Sequence, residues 1–156
     1  MSGQQNDAGG LSNAKVPPVP DELPYRLDRG FDRLFGLEMT EVGDGVMCGK
    51  VAVRDEIKQA AGLLHGGVYA AMAESLASIG TWLAVIEQGK MAMGLSNQTS
   101  FLRPATEGEV HGRARAMHRG RTTWVWEVEM TDDNGRLCAL TRVTVAVRDA
   151  SSPPPE

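Results

Sequence analysis

Residues 59–78 read Gln-Ala-Ala-Gly-Leu-Leu-His-Gly-Gly-Val-Tyr-Ala-Ala-Met-Ala-Glu-Ser-Leu-Ala-Ser, and Gln59, His65, Gly66, Gly67, Glu74 and Ser78 are the members able to do chemistry. A glycine pair ahead of a helix presents backbone amides with no side chain in the way, and the helix dipole there favours negative charge. That is an arrangement for holding an oxyanion. Glu74 and Ser78 are four residues apart and so share one helix face. At 100° per residue this face lies away from the apolar stripe of Val68, Met72, Leu76 and Ile79. Ala70, Ala71, Ala73 and Ala77 flank Glu74 and permit close packing against another element, so the carboxylate is expected to be partly desolvated, which would sharpen it as a base or nucleophile. Each residue also has a plainer reading. A single helical Glu can face solvent, His65 can cap a helix or fill a core, and Gln59 can hydrogen-bond a loop.

At roughly 1.5 Å of rise per residue, Glu74 lies about 12 Å along the helix from Gly66, too far to reach a carbonyl held at its own helix N-terminus. If both groups act on one centre, they come from different subunits. Two antiparallel helices across a two-fold axis would bring Glu74 of one beside Gly66 of the other, so the motif predicts an obligate dimer with two interfacial sites.

The elements that must position these groups are readable in outline. Leu27, Phe31, Leu34 and Phe35 recur at helical spacing and predict a short helix over 23–36. Residues 45–54 have the β-branched alternation of a strand. From Gly67 to about Glu87 the stripe of Val68, Met72, Leu76, Ile79, Leu83 and Ile86 predicts one long helix. Four strands are expected after it, over 91–103, 109–119, 122–132 and 136–148. Trp124, Trp126, Val128 and Met130 alternate in the third, and Asp133-Asn134-Gly135 supplies a hairpin turn. One antiparallel sheet wrapped around one long helix is the economical way to bury that stripe, which makes the fold class α+β.

Six of the eight prolines fall in the ends of the chain, so 1–20 and 150–156 are expected to be flexible tails around a folded unit of 21–149. The 156 residues carry 16 Lys+Arg against 20 Asp+Glu, a net charge of -4, which argues against a nonspecific nucleic-acid binder. There is no run of about 18 consecutive apolar residues and no signal-peptide pattern at the start, so no membrane partner is expected and the location is expected to be cytoplasmic. Cys48 and Cys138 sit in strand patterns and read as buried free thiols. The histidines His65, His111 and His118 fit no common metal spacing, so no metal is expected. Two apparent motifs fail. The segment 43–51 misses the spacing of a phosphate loop and reads as a turn into a strand, while Gly94-Leu95-Ser96-Asn97-Gln98 lacks the second glycine of a nucleophile elbow.

The His-Gly-Gly pair, the Glu nine residues after the His, the upstream Gln and the order of elements together resemble the hot-dog-fold acyl-CoA thioesterases. The resemblance is strongest to the Arthrobacter-type 4-hydroxybenzoyl-CoA thioesterases and extends to the 1,4-dihydroxy-2-naphthoyl-CoA branch. It covers about 35–148, including 96–104, 118–128 and 132–140. It implies that Glu74 is the nucleophile or general base, that the Gly66 amide polarises the thioester carbonyl, and that Gln59 and His65 position thioester or water. It also gives Ser78 a supporting hydroxyl, where the Arthrobacter type has threonine. A subgroup acting on phenylacetyl-CoA carries Asp at the position of Glu74, which disfavours it here. By the same resemblance Arg103, Arg121 and Thr122 match positions that contact the nucleotide end of coenzyme A. Arg121 departs from a serine there and Ser151 from an arginine, so phosphate contacts are expected to be redistributed. Met91 to Gly94 resembles a wall of the acyl pocket, and equally reads as core packing.

Residues 110–126 hold Arg113, Arg115, Arg119 and Arg121 with no acid, which reads either as a docking stretch for phosphates or as ordinary charge alternation on a sheet face. The expectation is an aromatic acyl-CoA thioesterase, a homodimer at minimum and a homotetramer by resemblance, with no cofactor, coenzyme A being part of the substrate. Two rivals are an enoyl-CoA hydratase of the same fold, which would need an Asp/His acid–base pair not seen near 59–78, and a non-enzymatic acyl-CoA-binding protein.

Overall fold

The computed structural model describes residues 30–150. The expected tail at 1–20, all but the first residue of that at 150–156, and the first positions of the helix expected over 23–36 lie outside the described residues. The part of that helix described is one short turn, α1 (Phe31–Phe35). It ends at Gly36, whose φ of 78° is left-handed and whose N–H returns to the carbonyls of Asp32 and Arg33. Phe35 enters the core, whereas Phe31 and Leu34 are 63% and 71% exposed, so the apolar spacing marks a partly solvated element.

β1 (Glu38–Gly43) and β2 (Val46–Ala52) form a hairpin through Asp44-Gly45, with Gly45 at φ 75°. The glycine-rich segment at 43–51 is therefore a turn into a strand. β1 itself is an addition to the sequence expectation. Among the described residues it pairs on one side only, and its register is irregular between Met39 and Glu41, so an edge position leaves room for Glu38 and Glu41 where a central strand would need apolar residues.

α2 (Gly66–Val85) follows, continued by a 3-10 turn at Ile86–Gln88 and closed by Gly89. The remaining strands are β3 (Lys90–Phe101), β4 (Glu109–Arg119), β5 (Thr123–Asp132) and β6 (Leu137–Asp149), close to the expected bounds. At the β5–β6 turn Asp132 accepts the N–H groups of Asn134 and Arg136, each at 3.0 Å, as Asp does when it shapes a turn.

The six strands among the described residues pair antiparallel in the order β1-β2-β4-β5-β6-β3, and α2 packs across one face. Val68, Met72, Leu76 and Ile79 are buried as the periodicity requires, Leu83 is only partly so, and Ile86 falls in the 3-10 turn. The buried face is wider than the stripe and includes Tyr69, Ala73, Ala77, Gly80, Thr81 and Val85. Trp126, fully buried on β5, donates its indole N–H to Thr81 Oγ1 at 2.8 Å, and that hydroxyl donates to the Ala77 carbonyl at 2.9 Å. Gly80 allows this approach. A Cβ there would stand 2.6 Å from Met47 Cγ and 2.8 Å from Trp126 Cη2.

The stretch Gly66–Gln88 is long and apolar enough to cross a membrane by composition alone, but half of it is buried against the sheet, as in the core helix of a globular domain. β3 lies at the opposite edge of the sheet from β1. Its outer edge is unpaired among the described residues, and Met93, Leu95 and Phe101 are 45–59% exposed along it.

Candidate active site

The front of α2 is organised by His65. Its backbone is extended at φ -65° and ψ 133°, and its Nδ1 accepts the Gly67 N–H at 2.9 Å, so it is the helix N-cap. The Val68 N–H goes to the His65 carbonyl at 2.9 Å, and the His65 N–H goes to the Ile57 carbonyl at 3.0 Å. Gly66 is the remaining member of this group, and its N–H has no acceptor among the described residues. The Phe101 ring lies over Gly66, close enough that a Cβ at 66 would be 3.0 Å from Cζ. The turn before the helix is closed by Gln59, whose N–H and carbonyl pair with Leu63 and Gly62, each at 2.8 Å. Its side chain has no such partner among the described residues and lines a cleft of about 670 Å³ with His65, Gly66, Tyr69, Phe101 and Arg103.

A second cleft, of about 680 Å³, opens further along α2. Glu74, Ser78, Ile79, Trp82, Met91 and Phe31 line it. The Glu74 carboxylate rests on the backbone of β3 at Gly94, where a Cβ would lie 2.6 Å from Oε1. Ser78 Oγ is buried without a hydrogen-bond partner among the described residues. Asp32 reaches the same cleft from α1 and accepts a 2.6 Å hydrogen bond from Ser75 Oγ. Asp32 and Trp82 were not singled out from sequence, and Phe31 was read only as part of the first helix. A carboxylate set between Phe31 and the buried Phe35 was the available signal for Asp32.

Within one chain Glu74 is exposed, so the expected partial desolvation does not arise from its own sheet. Ala73 and Ala77 face the sheet and are buried, but Ala70 and Ala71 are only half-buried and leave that side of the helix open. The structure therefore puts Gln59, His65, Gly66 and Arg103 in one cleft and Glu74, Ser78 and Met91 in another, with Gly94 beneath the carboxylate.

The acid-free arginine stretch is largely neutralised from neighbouring strands. Arg113 pairs with Glu41 at 3.7 Å, Arg115 with Glu129 at 3.3 Å and Glu127 at 3.5 Å, and Arg119 with Asp44 at 2.6 Å while stacking on Trp124. This is the charge alternation of a sheet face. Arg103 and Arg121 are in no ion pair among the described residues, but they do not share a location. Arg103 sits where β3 ends beside Cys138, whereas Thr122 lies beside Val147, nine residues along β6. At about 3.3 Å per residue that is roughly 30 Å. Arg121 and Thr122 line neither cleft.

Other titratable groups near these elements are accounted for. Burial, with Glu41 second, pushes the Cys48 thiol up to about 11, and burial also raises Cys138, so neither presents a ready thiolate. Burial pushes the Tyr69 phenol up to about 12, which keeps it protonated beside Gly66. Glu109, His111 and Asp133 bring three potential metal ligands together, an arrangement invisible in sequence spacing. His111 Nε2 is bonded to Asp133 at 2.8 Å and Glu109 to Lys50 at 2.8 Å, and none of the three lines either cleft. The His111 contact, with the Glu109 N–H, holds the Asp133 carboxyl below the usual carboxylate range.

Comparison with known proteins adds the following. A family model described as Thioesterase superfamily matches residues 61–139. A provisionally named esterase of Mycobacterium tuberculosis is 39% identical over 131 residues, covering 82% of this chain and 94% of that protein. The proofreading thioesterase EntH of Klebsiella pneumoniae is 36% identical over 113 residues, covering 72% and 82%. Among solved structures, a mutant of thioesterase PA1618 from Pseudomonas aeruginosa superposes with a TM-score of 0.76 at 31% identity, covering 80% of this chain and 89% of that one.

Proposed function

The chain belongs to the thioesterase superfamily, with the hot-dog fold of its solved relatives, and from that premise we propose that it hydrolyses an aromatic acyl-CoA at sites shared between two copies of itself. As a thioester hydrolase it needs an oxygen nucleophile and a donor for the carbonyl oxygen. Glu74 supplies the first and the Gly66 N–H the second, with Gln59 steadying the thioester from the same cleft as Gly66. Attack by the Glu74 carboxylate would form a mixed anhydride and expel the coenzyme A thiolate, after which water cleaves the anhydride. Alternatively Glu74 takes a proton from water, the hydroxide adds to the carbonyl carbon, and the C–S bond breaks.

The observation that carries this reading is the division of the machinery between two clefts on one rigid helix. Glu74 and Gly66 are held about 12 Å apart by helix geometry and cannot close on one carbonyl in a single chain. An antiparallel partner helix, with β3 edges meeting, would bring them together and would cover both the exposed Glu74 and the apolar edge residues. Arg103 and Arg121 can meet one nucleotide only if they too come from different copies; the tetramer is implied by the family resemblance.

An aromatic acyl group fits the Glu74 cleft. Phe31, Ile79, Trp82 and Met91 give it flat apolar walls, and the unpartnered Ser78 hydroxyl offers a hydrogen bond. A ring of the hydroxybenzoyl or dihydroxynaphthoyl type would use both. A thiol-release screen of benzoyl, hydroxybenzoyl, dihydroxynaphthoyl, phenylacetyl and straight-chain CoA esters is expected to rank the hydroxylated aromatic esters first by kcat/KM. Preference for straight chains would overturn the aromatic assignment.

Gly94 gives a second expectation. Gly94→Ala places a methyl group where the Glu74 carboxylate now rests, 2.6 Å from Oε1, on an edge strand that otherwise tolerates a side chain. Displacing the reacting group by an ångström is expected to lower kcat about a hundredfold with little change in melting temperature. Unchanged kcat would mean that the carboxylate does not work from this position.

A further inference from the structure

His65 stands beside the oxyanion donor and offers three chemistries: acid, base, or direct ligand of the thioester. The geometry points to a fourth. We propose that His65 is a positioning residue that acts through the backbone: as a neutral N-cap it takes the Gly67 amide out of the donor set and fixes the Gly66 amide as the single free backbone donor at the front of α2.

The hydrogen bonds carry this assignment. Because Nδ1 accepts the Gly67 N–H at 2.9 Å, Nδ1 carries no proton, and a neutral ring must then hold its hydrogen on Nε2. Nε2 has no partner among the described residues. A Cβ at 67 would be 3.0 Å from Nδ1, so a glycine there lets the ring fold back over its own helix. With Val68 bonded to the His65 carbonyl, Gly67 and Val68 are both consumed and Gly66 alone is left to face a ligand. One donor in a fixed place is what a developing oxyanion requires, since its stabilisation depends on donors that do not need to reorganise.

Charge selects the type of cap. Asp is as good an N-cap as Asn, but its negative charge would stand next to the forming oxyanion and oppose it. Ser or Thr would cap with a short side chain and would lack the ring that lines the cleft. An imidazole in the Nε2–H form is a neutral acceptor with bulk.

This inference rests on the hydrolase reading for its kinetic arm only. Three full-length variants separate capping from direct chemistry: His65→Asn, which keeps a neutral acceptor, His65→Asp, which keeps an acceptor but adds charge, and His65→Ala, which has none. With the best aromatic ester from the screen, His65→Asn is expected to lose no more than about threefold in kcat, since its side-chain oxygen can accept the same N–H. His65→Ala is expected to lose about a hundredfold in kcat with KM nearly constant, because the amide is no longer held in place. His65→Asp is expected to melt near His65→Asn yet fall about tenfold below it in kcat. If His65→Asn falls as far as His65→Ala, the side chain does chemistry itself and the proposal is wrong. Nitrogen-15 NMR of the wild-type imidazole at alkaline pH gives a second arm that needs no turnover. An unprotonated Nδ1 and a protonated Nε2 support the cap, and the opposite tautomer overturns it. Absence of thiol release by the wild type on every ester would sink the hydrolase reading and leave the tautomer and the melting order of the variants to decide the cap.

Discussion

Glu74→Gln should reduce thiol release by about 10⁴-fold or more while acyl-CoA still binds, the scale of loss seen when a group that acts in the reaction as part of a unit is removed. The substitution is nearly isosteric and falls on an exposed helix position, so the core formed by Met72, Leu76 and Ile79 is undisturbed and the melting temperature should stay close to wild type. An amide is a poor nucleophile and cannot take a proton from water. The proposed oxyanion donor, acyl walls and phosphate contacts are untouched, so equilibrium binding of a non-hydrolysable acyl-CoA analogue should move little. Turnover near the wild-type rate would remove Glu74 from the chemistry altogether, and loss of binding together with turnover would assign it to the acyl pocket.

The second large effect is a gain. Gly66→Pro removes the one backbone N–H left free at the front of α2 among the described residues, and little else. Proline is well suited to the first position of a helix, and the preceding residue is already extended at ψ 133°, as proline requires. The ring of Phe101, an exposed side chain, must yield by a few tenths of an ångström. Alone, this variant is expected to lose 10²–10³-fold in kcat, roughly the effect of one oxyanion donor. Co-expressed in equal amounts with Glu74→Gln under a different affinity tag, it should regain activity. Half of the dimers are then mixed, and in each mixed dimer one of the two sites joins an intact Glu74 to an intact Gly66. About one quarter of the wild-type sites should return. No recovery in tag-selected mixed dimers would show that each chain uses its own Glu74 and Gly66, and would refute the shared site.

What could be read from sequence depended on how local the determining physics is. The helix rise alone separates Gly66 from Glu74, and the alternation of Trp124, Trp126, Val128 and Met130 follows from burial of one sheet face, so α2 and the strands from β3 to β6 were legible. β1 was not, because an edge strand answers to one neighbour and tolerates Glu38 and Glu41. The arginines of 110–126 were legible as residues but not as a surface. Their partners Glu41, Asp44, Glu127 and Glu129 are supplied across strands and turns, and in a sheet the nearest charge is often tens of residues away in the chain. Asp32 joins the Glu74 cleft only because α1 packs on α2, a tertiary event, whereas Trp82 follows Ser78 by four residues on α2 and shares its face, a local signal that was passed over. Conversely, the capping of Gly67 by His65 spans two residues, yet spacing alone could not separate a cap from a core histidine.

The open β3 edge bears on how the protein survives its own synthesis. A strand of twelve residues with unpaired backbone groups and with Met93, Leu95 and Phe101 exposed is a template for any extended chain that meets it. If, as proposed, a second copy covers this edge, a newly folded chain is an aggregation hazard until that copy arrives, and crowding with unfolded neighbours competes with correct pairing. Yield of recombinant protein should therefore respond to expression rate and to chaperone supply more than to the stability of the core, and a lysine introduced on this edge would trade assembly for solubility.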